Sequence, residues 1–180
     1  MPLNHTSQYA QLTEEQYAAL GKVVVEWANI EELLGAISGR LLATPDFLAR
    51  SFTDSISAVR IQTILTQAIE IHQVRYQCMR VHEAILNELT VLNEKVNTLR
   101  AKRNKIAHFC WLRSNDEELW GTNFPGGIPS PKSERTHHAT FTANELAELH
   151  RESYAVVDQL LSIYQALPEI NEGALLEKSN

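Results

Sequence analysis

Four stretches of the chain place apolar side chains at steps of three and four residues, the pattern of helices that bury one face. The first follows Thr13 and takes in Leu20, Val24, Trp27, Ile30 or Leu33, Leu34, Ile37 and Leu41. Thr13 with Gln16 matches a capping box, Glu14 and Glu15 suit the positive end of a helix dipole, and Pro45 is a stop. That predicts a helix over about 14–43. Gly35 and Gly39 inside it read as tolerated glycines, with close approach of another helix as the alternative. The second stretch begins near Asp54 and turns Ile56, Ile61, Ile64, Leu65, Ala68 and Ile71 inward. No Gly or Pro marks its end. One unbroken helix from there to His108 would be about 80 Å long, so a break is expected near His72–Cys78. The third is the cleanest: Ile85, Leu89, Leu92, Val96, Leu99, Arg103 and Ile106, with steps alternating four and three. Arg103 therefore stands in a slot that asks for an apolar residue. The fourth opens at a capping box, Thr142 with Glu145, and carries Leu146, Leu149, Ser153, Val157, Leu160, Tyr164 and Leu167 up to Pro168.

Between the third and fourth stretches the period changes. Phe109–Arg113 and Glu118-Leu119-Trp120 flank Ser114-Asn115-Asp116, which reads as a short hairpin. Gly and Pro are absent from Asp46 to Trp120, whereas Gly121–Pro131 holds three of the seven glycines and three of the six prolines. A loop near 121–135 follows from that, with a further strand over Thr136–Phe141. The expected fold is all-α: an up-and-down four-helix bundle with a short β-hairpin and loop insertion, about 109–141, before the last helix. One helical domain over 1–180, ending in a tail from about 168, accounts for the length.

Composition narrows the function classes. An apolar share of 44% is that of a globular domain. The two cysteines, Cys78 and Cys110, form no C-x-x-C pair, which argues against a disulfide framework or a zinc finger. The polar N-terminus and short apolar runs lead us to expect a soluble cytoplasmic protein with no membrane partner. A net charge of −6 argues against a general nucleic-acid binder. The distribution changes the picture. Lys95, Arg100, Lys102, Arg103, Lys105 and Arg113 fall in a window without one acidic residue, and the rest of the chain balances at −12. The plain reading is a solvated helix face whose cations favour the negative end of the dipole.

The run Leu99-Arg100-Ala101-Lys102-Arg103-Asn104-Lys105-Ile106-Ala107-His108 sharpens the reading. On a helix Arg103 and Ala107 share a face, as do Asn104 and His108, and the four fall within about 140° of arc. A guanidinium, an amide and an imidazole would converge on a small alanine, leaving a notch in the inner face. A cation in a core slot needs an acceptor, either internal or a phosphate. These residues resemble the motif of the HEPN superfamily, small all-helical proteins with an Arg, four to six residues and then a His, often as Arg-Asn-x-x-Ala-His. The resemblance extends to a long third helix, the motif at its end and a closing helix after an insertion. It implies a homodimer whose two motifs face each other across a cleft and which cleaves RNA without metal or other cofactor. Arg103, Asn104 and His108 would then be catalytic: Arg103 on phosphate oxygens, Asn104 orienting the histidine or substrate, His108 moving protons. Arg100, Lys102, Lys105 and Arg113 would bind the RNA backbone. The expected partners are a second copy, RNA or a nucleotide, and a protein antitoxin. Two alternatives stand beside this. One is a non-catalytic HEPN-like dimer binding RNA, a nucleotide or a partner protein. The other is an unrelated bundle in which Arg103 and His108 satisfy carboxylates such as Glu26 or Glu31.

Other groups carry less. His137 and His138, being adjacent, point to opposite faces of a strand, and nothing in the spacing of His108, Cys110, His137 and His138 favours zinc. Trp27, Trp111 and Trp120 read as core or interface anchors rather than base-stacking platforms, and Cys110 as a small apolar residue. Phe109 is bulky where such motifs often have a small residue, which would narrow the site. A second Arg-to-His match, Arg75 to His82, falls at the expected helix break with Tyr76 after the Arg, the pattern of a chance match. If the protein cleaves RNA, Arg75→Ala should leave turnover unchanged in a gel assay, while a loss equal to that of Arg103→Ala would mean the wrong motif was chosen.

Overall fold

A computed structural model describes residues 12–113, 115–123 and 138–170. The expected loop at 121–135 and the tail lie mostly outside the described residues. The protein is mainly helical with one small sheet: α1 (Glu14–Leu41), α2 (Asp46–Thr53), α3 (Ala58–Glu70), a single π-turn (Ile71–Arg75), α4 (Glu83–His108), β1 (Cys110–Arg113), β2 (Glu118–Thr122), β3 (His138–Thr142) and α5 (Ala143–Ala166). No described helix is long and apolar enough to cross a membrane. Two compact units share the chain, one comprising Met1–Trp27 with Leu99–Ser153, the other Ala28–Thr98 with Tyr154–Asn180.

The first unit holds both ends of the insertion and the motif. Its core is Leu12 just before α1, Val23 and Trp27 of α1, Leu99 and Ile106 of α4, Leu119 of β2, and Leu146 and Leu149 of α5. Val23 is buried and Val24 is 41% exposed, so near its start the inner stripe of α1 is displaced by one residue, while Trp27, Ile30, Leu34, Ile37 and Leu41 are buried as expected. Both capping boxes form. Gln16 N–H donates to Thr13 Oγ1 (3.2 Å) and Gln16 Oε1 accepts from Thr13 N–H (3.0 Å); Thr142 and Glu145 repeat the arrangement at α5. Buried Gln16 also donates to Asn115 O (2.9 Å), which ties the β1–β2 turn to the start of α1.

The insertion is a three-stranded antiparallel meander, β1-β2-β3, in which the expected hairpin is joined by the further strand as β3. Cys110 pairs with Thr122, Leu112 with Trp120, and Trp120 with Thr140. Trp111 lies opposite Gly121, and a Cβ there would stand 2.6 Å from the Trp111 ring. Only glycine leaves room for the indole.

In the second unit five helical segments surround Ile30, Leu34, Ile37, Leu65, Leu86, Leu89, Val156 and Leu160, all buried. α1 ends in a Schellman motif: Ala43 N–H donates to Arg40 O and Thr44 N–H to Gly39 O, with Ala43 at φ 53°. Pro45 then starts α2, a fifth helix absent from the sequence reading. α2 buries only Ala49 and Thr53 and leaves Phe47 and Leu48 in solvent, so no apolar stripe announces it. Its packing settles the role of the α1 glycines. A Cβ on Gly39 would sit 2.5 Å from Ala49 Cβ, and one on Gly35 3.3 Å from Thr53 Oγ1, so both permit close approach.

The α3–α4 break falls where expected, but its means are unusual. Tyr76 N–H donates to Ile71 O, an i→i+5 bond, and Gln77 and Cys78 both turn left-handed at φ 48° and 57°. Buried His72 donates from Nε2 to Leu41 O (2.8 Å), holding the π-turn to the end of α1. Arg40 serves the other end of α5. It stacks 3.8 Å over the Tyr164 ring and donates to the carbonyls of Tyr164 and Leu167, both at 3.2 Å, and to Tyr164 Oη at 2.8 Å.

Two predictions follow from this packing. Gly39→Ala should destabilise the protein by about 1–3 kcal/mol because it overpacks Ala49. Gly21→Ala, with nothing within 4 Å of the new methyl, should stabilise it by about 0.5–1 kcal/mol. Urea unfolding of the two variants checks this, and equal shifts would disprove it. The second concerns Tyr164, whose pKa is raised chiefly by the hydrogen bond it donates to Asp46 (2.7 Å) and then by burial, against Arg40. Since the folded value lies above the unfolded one, the contribution is full below the unfolded pKa of about 10 and is lost as pH rises through the raised value. The unfolding midpoint should therefore fall more steeply above about pH 10 than that of Tyr164→Phe.

Candidate functional site

The last three turns of α4 are built from good helix formers, and Lys105 and His108 sit in the final turn, where the dipole favours cations. Arg103 keeps the place its stripe assigns. It is half-buried, with its guanidinium carbon 5.4 Å from the centre of the Trp27 ring, a cation–π contact on an indole that is itself buried. Arg103 Nη1 donates to Asn104 Oδ1 at 3.4 Å, a long bond, and its Nε is buried without a hydrogen-bond partner. Among the described residues no carboxylate pairs with Arg103 or His108. Glu26, one of the acceptors expected in an unrelated bundle, lies 3.6 Å from His150.

Asn104, Ala107 and His108 are all exposed. The expected notch in the inner face is therefore not formed within this unit. Arg103 turns inward while the amide, the methyl and the imidazole face solvent, and the imidazole lies roughly 140° from Arg103 around the axis. Of the backbone-binding candidates, Lys102 is exposed and 3.9 Å from Glu152, and Arg100 and Lys105 are half-buried. Arg113 ends β1, and its side chain lies outside the described residues. Phe109 stacks on Trp111, with ring centroids 6.1 Å apart.

At the rival match both side chains are exposed. Arg75 ends the π-turn and His82 caps α4, its Nδ1 accepting from Ala84 N–H at 3.2 Å. No three His, Cys, Asp or Glu side chains gather among the described residues, and His137 of the zinc alternative lies outside them. A separate groove of about 250 Å³, lined by Ala18, Ala19, Lys22, Leu146, Ala147 and His150 with Glu15, includes no motif residue. Sequence reasoning missed two things here: that the Arg103 slot is floored by Trp27, and that Trp120 is exposed. Neither has a signal in spacing alone.

The chain matches no family model, no curated protein and no solved structure.

An arginine retained for the fold and one retained for a ligand respond differently to substitution. Met at 103 keeps the stem over Trp27 and removes the unpaired buried N–H, which costs about 1–3 kcal/mol. Arg103→Met should therefore leave stability to urea unchanged or raise it by about 1 kcal/mol. A loss of more than about 1 kcal/mol would assign Arg103 to the fold instead.

Proposed function

We propose that this protein is a HEPN-like, metal-independent endoribonuclease of one domain, whose four longer helices form an up-and-down bundle, and that it works as a homodimer. The observation that carries this is Arg103: a half-buried guanidinium with an unmet N–H and, among the described residues, no carboxylate, five residues from a solvent-facing imidazole. A cation so placed suits a phosphate.

The chemistry needs little beyond these groups. A base takes the proton of a ribose 2′-hydroxyl, and that oxygen attacks the adjacent phosphorus. The resulting phosphorane carries negative charge on its equatorial oxygens, opposite Arg103. The bond from phosphorus to the 5′-oxygen then breaks, and an acid protonates the leaving oxygen, giving a 2′,3′-cyclic phosphate and a 5′-hydroxyl. His108 of each chain moves a proton, and Asn104 steadies Arg103 or the sugar. Because the nucleophile belongs to the substrate, no metal-bound water is required. Arg103 and His108 leave one helix about 140° apart, so one phosphate meets both most readily when Arg103 of one chain faces His108 of the other.

A second reading has its own observation. Among the described residues nothing holds the His108 ring by a hydrogen bond, which suits a module that binds RNA or a nucleotide without cutting it.

Pure protein incubated with RNA in EDTA should cleave it. Arg103→Ala and His108→Ala should each lower the rate by at least about 100-fold with the fold intact by circular dichroism. Mixed dimers of the two variants should recover part of the activity, since one Arg–His pair survives in them. Retention of intact RNA by the unsubstituted protein would favour the binding module. Loss of activity on chelation, restored by added metal ion, would overturn the mechanism.

A further inference from the structure

Residues in register across an antiparallel sheet share a face. Leu112, Trp120 and Thr140 form one such row across β1, β2 and β3, and all three are exposed, Leu112 at 41% and Trp120 at 37%. The opposite face is the inner one, with Leu119 and Gly121 buried and Trp111 and Phe141 in contact at 5.7 Å. An indole beside a leucine on this face is a flat apolar platform, and among the described residues no element covers it.

The surroundings of that platform are electrically graded. The next row toward α4 is Cys110, Thr122 and His138, of which Thr122 is buried and the two ends are exposed, and Cys110 follows His108 by two residues. Lys102, Arg103 and Lys105 lie in the preceding turns of α4, with Lys102 beside Glu152 and Arg103 over Trp27. The far end carries Glu117 and Glu118 instead, with Glu118 opposite Thr142. A polyanion crossing the face is thus drawn to the α4 end and repelled from the other. Leu112 is four residues from His108, and Trp120 is one strand spacing beyond, so Trp120 lies within about 20 Å of the motif.

We propose that this outward face receives single-stranded RNA, one base stacking on Trp120 against Leu112 while the backbone runs past His138 to Arg103 and His108. The proposal rests on the ribonuclease reading and names its substrate class. A stacked indole needs the free face of an unpaired base, which a duplex does not offer, and a sheet face does not enter the deep major groove of A-form RNA.

The test uses full-length His108→Ala protein, an unstructured oligoribonucleotide and the blunt duplex of the same sequence, followed by anisotropy and tryptophan fluorescence. The single strand should bind more tightly than the duplex and quench the emission. Adding Trp120→Leu should weaken single-strand binding roughly tenfold and remove most of the quenching, while Trp120→Phe should keep most of the affinity. Dimer mass by light scattering should be the same in all variants. Undiminished single-strand affinity in Trp120→Leu overturns the inference, and so does a change of oligomeric mass, which would make the row a contact between copies. If the protein with His108 still cuts RNA and Trp120→Leu leaves its KM and kcat unchanged, the platform fails and the ribonuclease reading stands. If the unsubstituted protein neither binds nor cuts RNA, that reading fails and the platform with it.

Discussion

Trp111 is the joint on which the candidate site depends. Its indole N–H donates to Ile106 O at 2.8 Å, taking up a carbonyl in the last turn of α4 that the helix itself cannot satisfy. Its ring fills the space left by Gly121 and meets Phe109 on one side and Phe141 on the other. One side chain thus caps a helix, sets the register neighbour of β2 and gathers the aromatic inner face of the sheet. With that joint made, the outer face of the sheet has a defined place relative to His108. Without it, a three-stranded meander of four- and five-residue strands would have little to hold it, since small sheets depend on an apolar face packed against a helix.

Arg103 shows the opposite economy. Its stem and guanidinium cover Trp27, yet Nε gains no partner, so the fold carries an unmet donor where a leucine or methionine would fit. Such a group is costly for stability and useful for recognition, and local conflicts of this kind concentrate at functional sites. Arg40 makes the contrast plain. It too is largely buried and its Nε likewise lacks a partner, but its terminal nitrogens meet two carbonyls, a hydroxyl and Asp46 at 3.5 Å, and its work is to close the end of α5.

What the sequence by itself determined is the set of features that local physics controls. The two capping boxes, the stop before Pro45, the regular stripe of α4 and the change of period after His108 all arise from residues within a turn or two of one another. The motif was legible for the same reason: Arg103, Asn104 and His108 share one helix, and the break in an apolar stripe is visible in a single line of letters.

Tertiary structure decided the rest, because it depends on partners distant in the chain. α2 was invisible, since its buried residues, Ala49 and Thr53, are small or polar and its large ones face water. The end of α3 has no punctuation, because a π-turn and two left-handed non-glycine residues do what Gly or Pro usually does, held by His72 on Leu41 O. Whether Gly39 was tolerated or required turned on Ala49. The three tryptophans look alike in composition, and only strand register separates them: it sends Trp111 inward against Gly121 and leaves Trp120 on the open face, while Trp27 lies under a cation 76 residues away. Side-chain direction in a strand alternates with every residue, so the fate of an aromatic there is set by pairing and not by its neighbours in sequence.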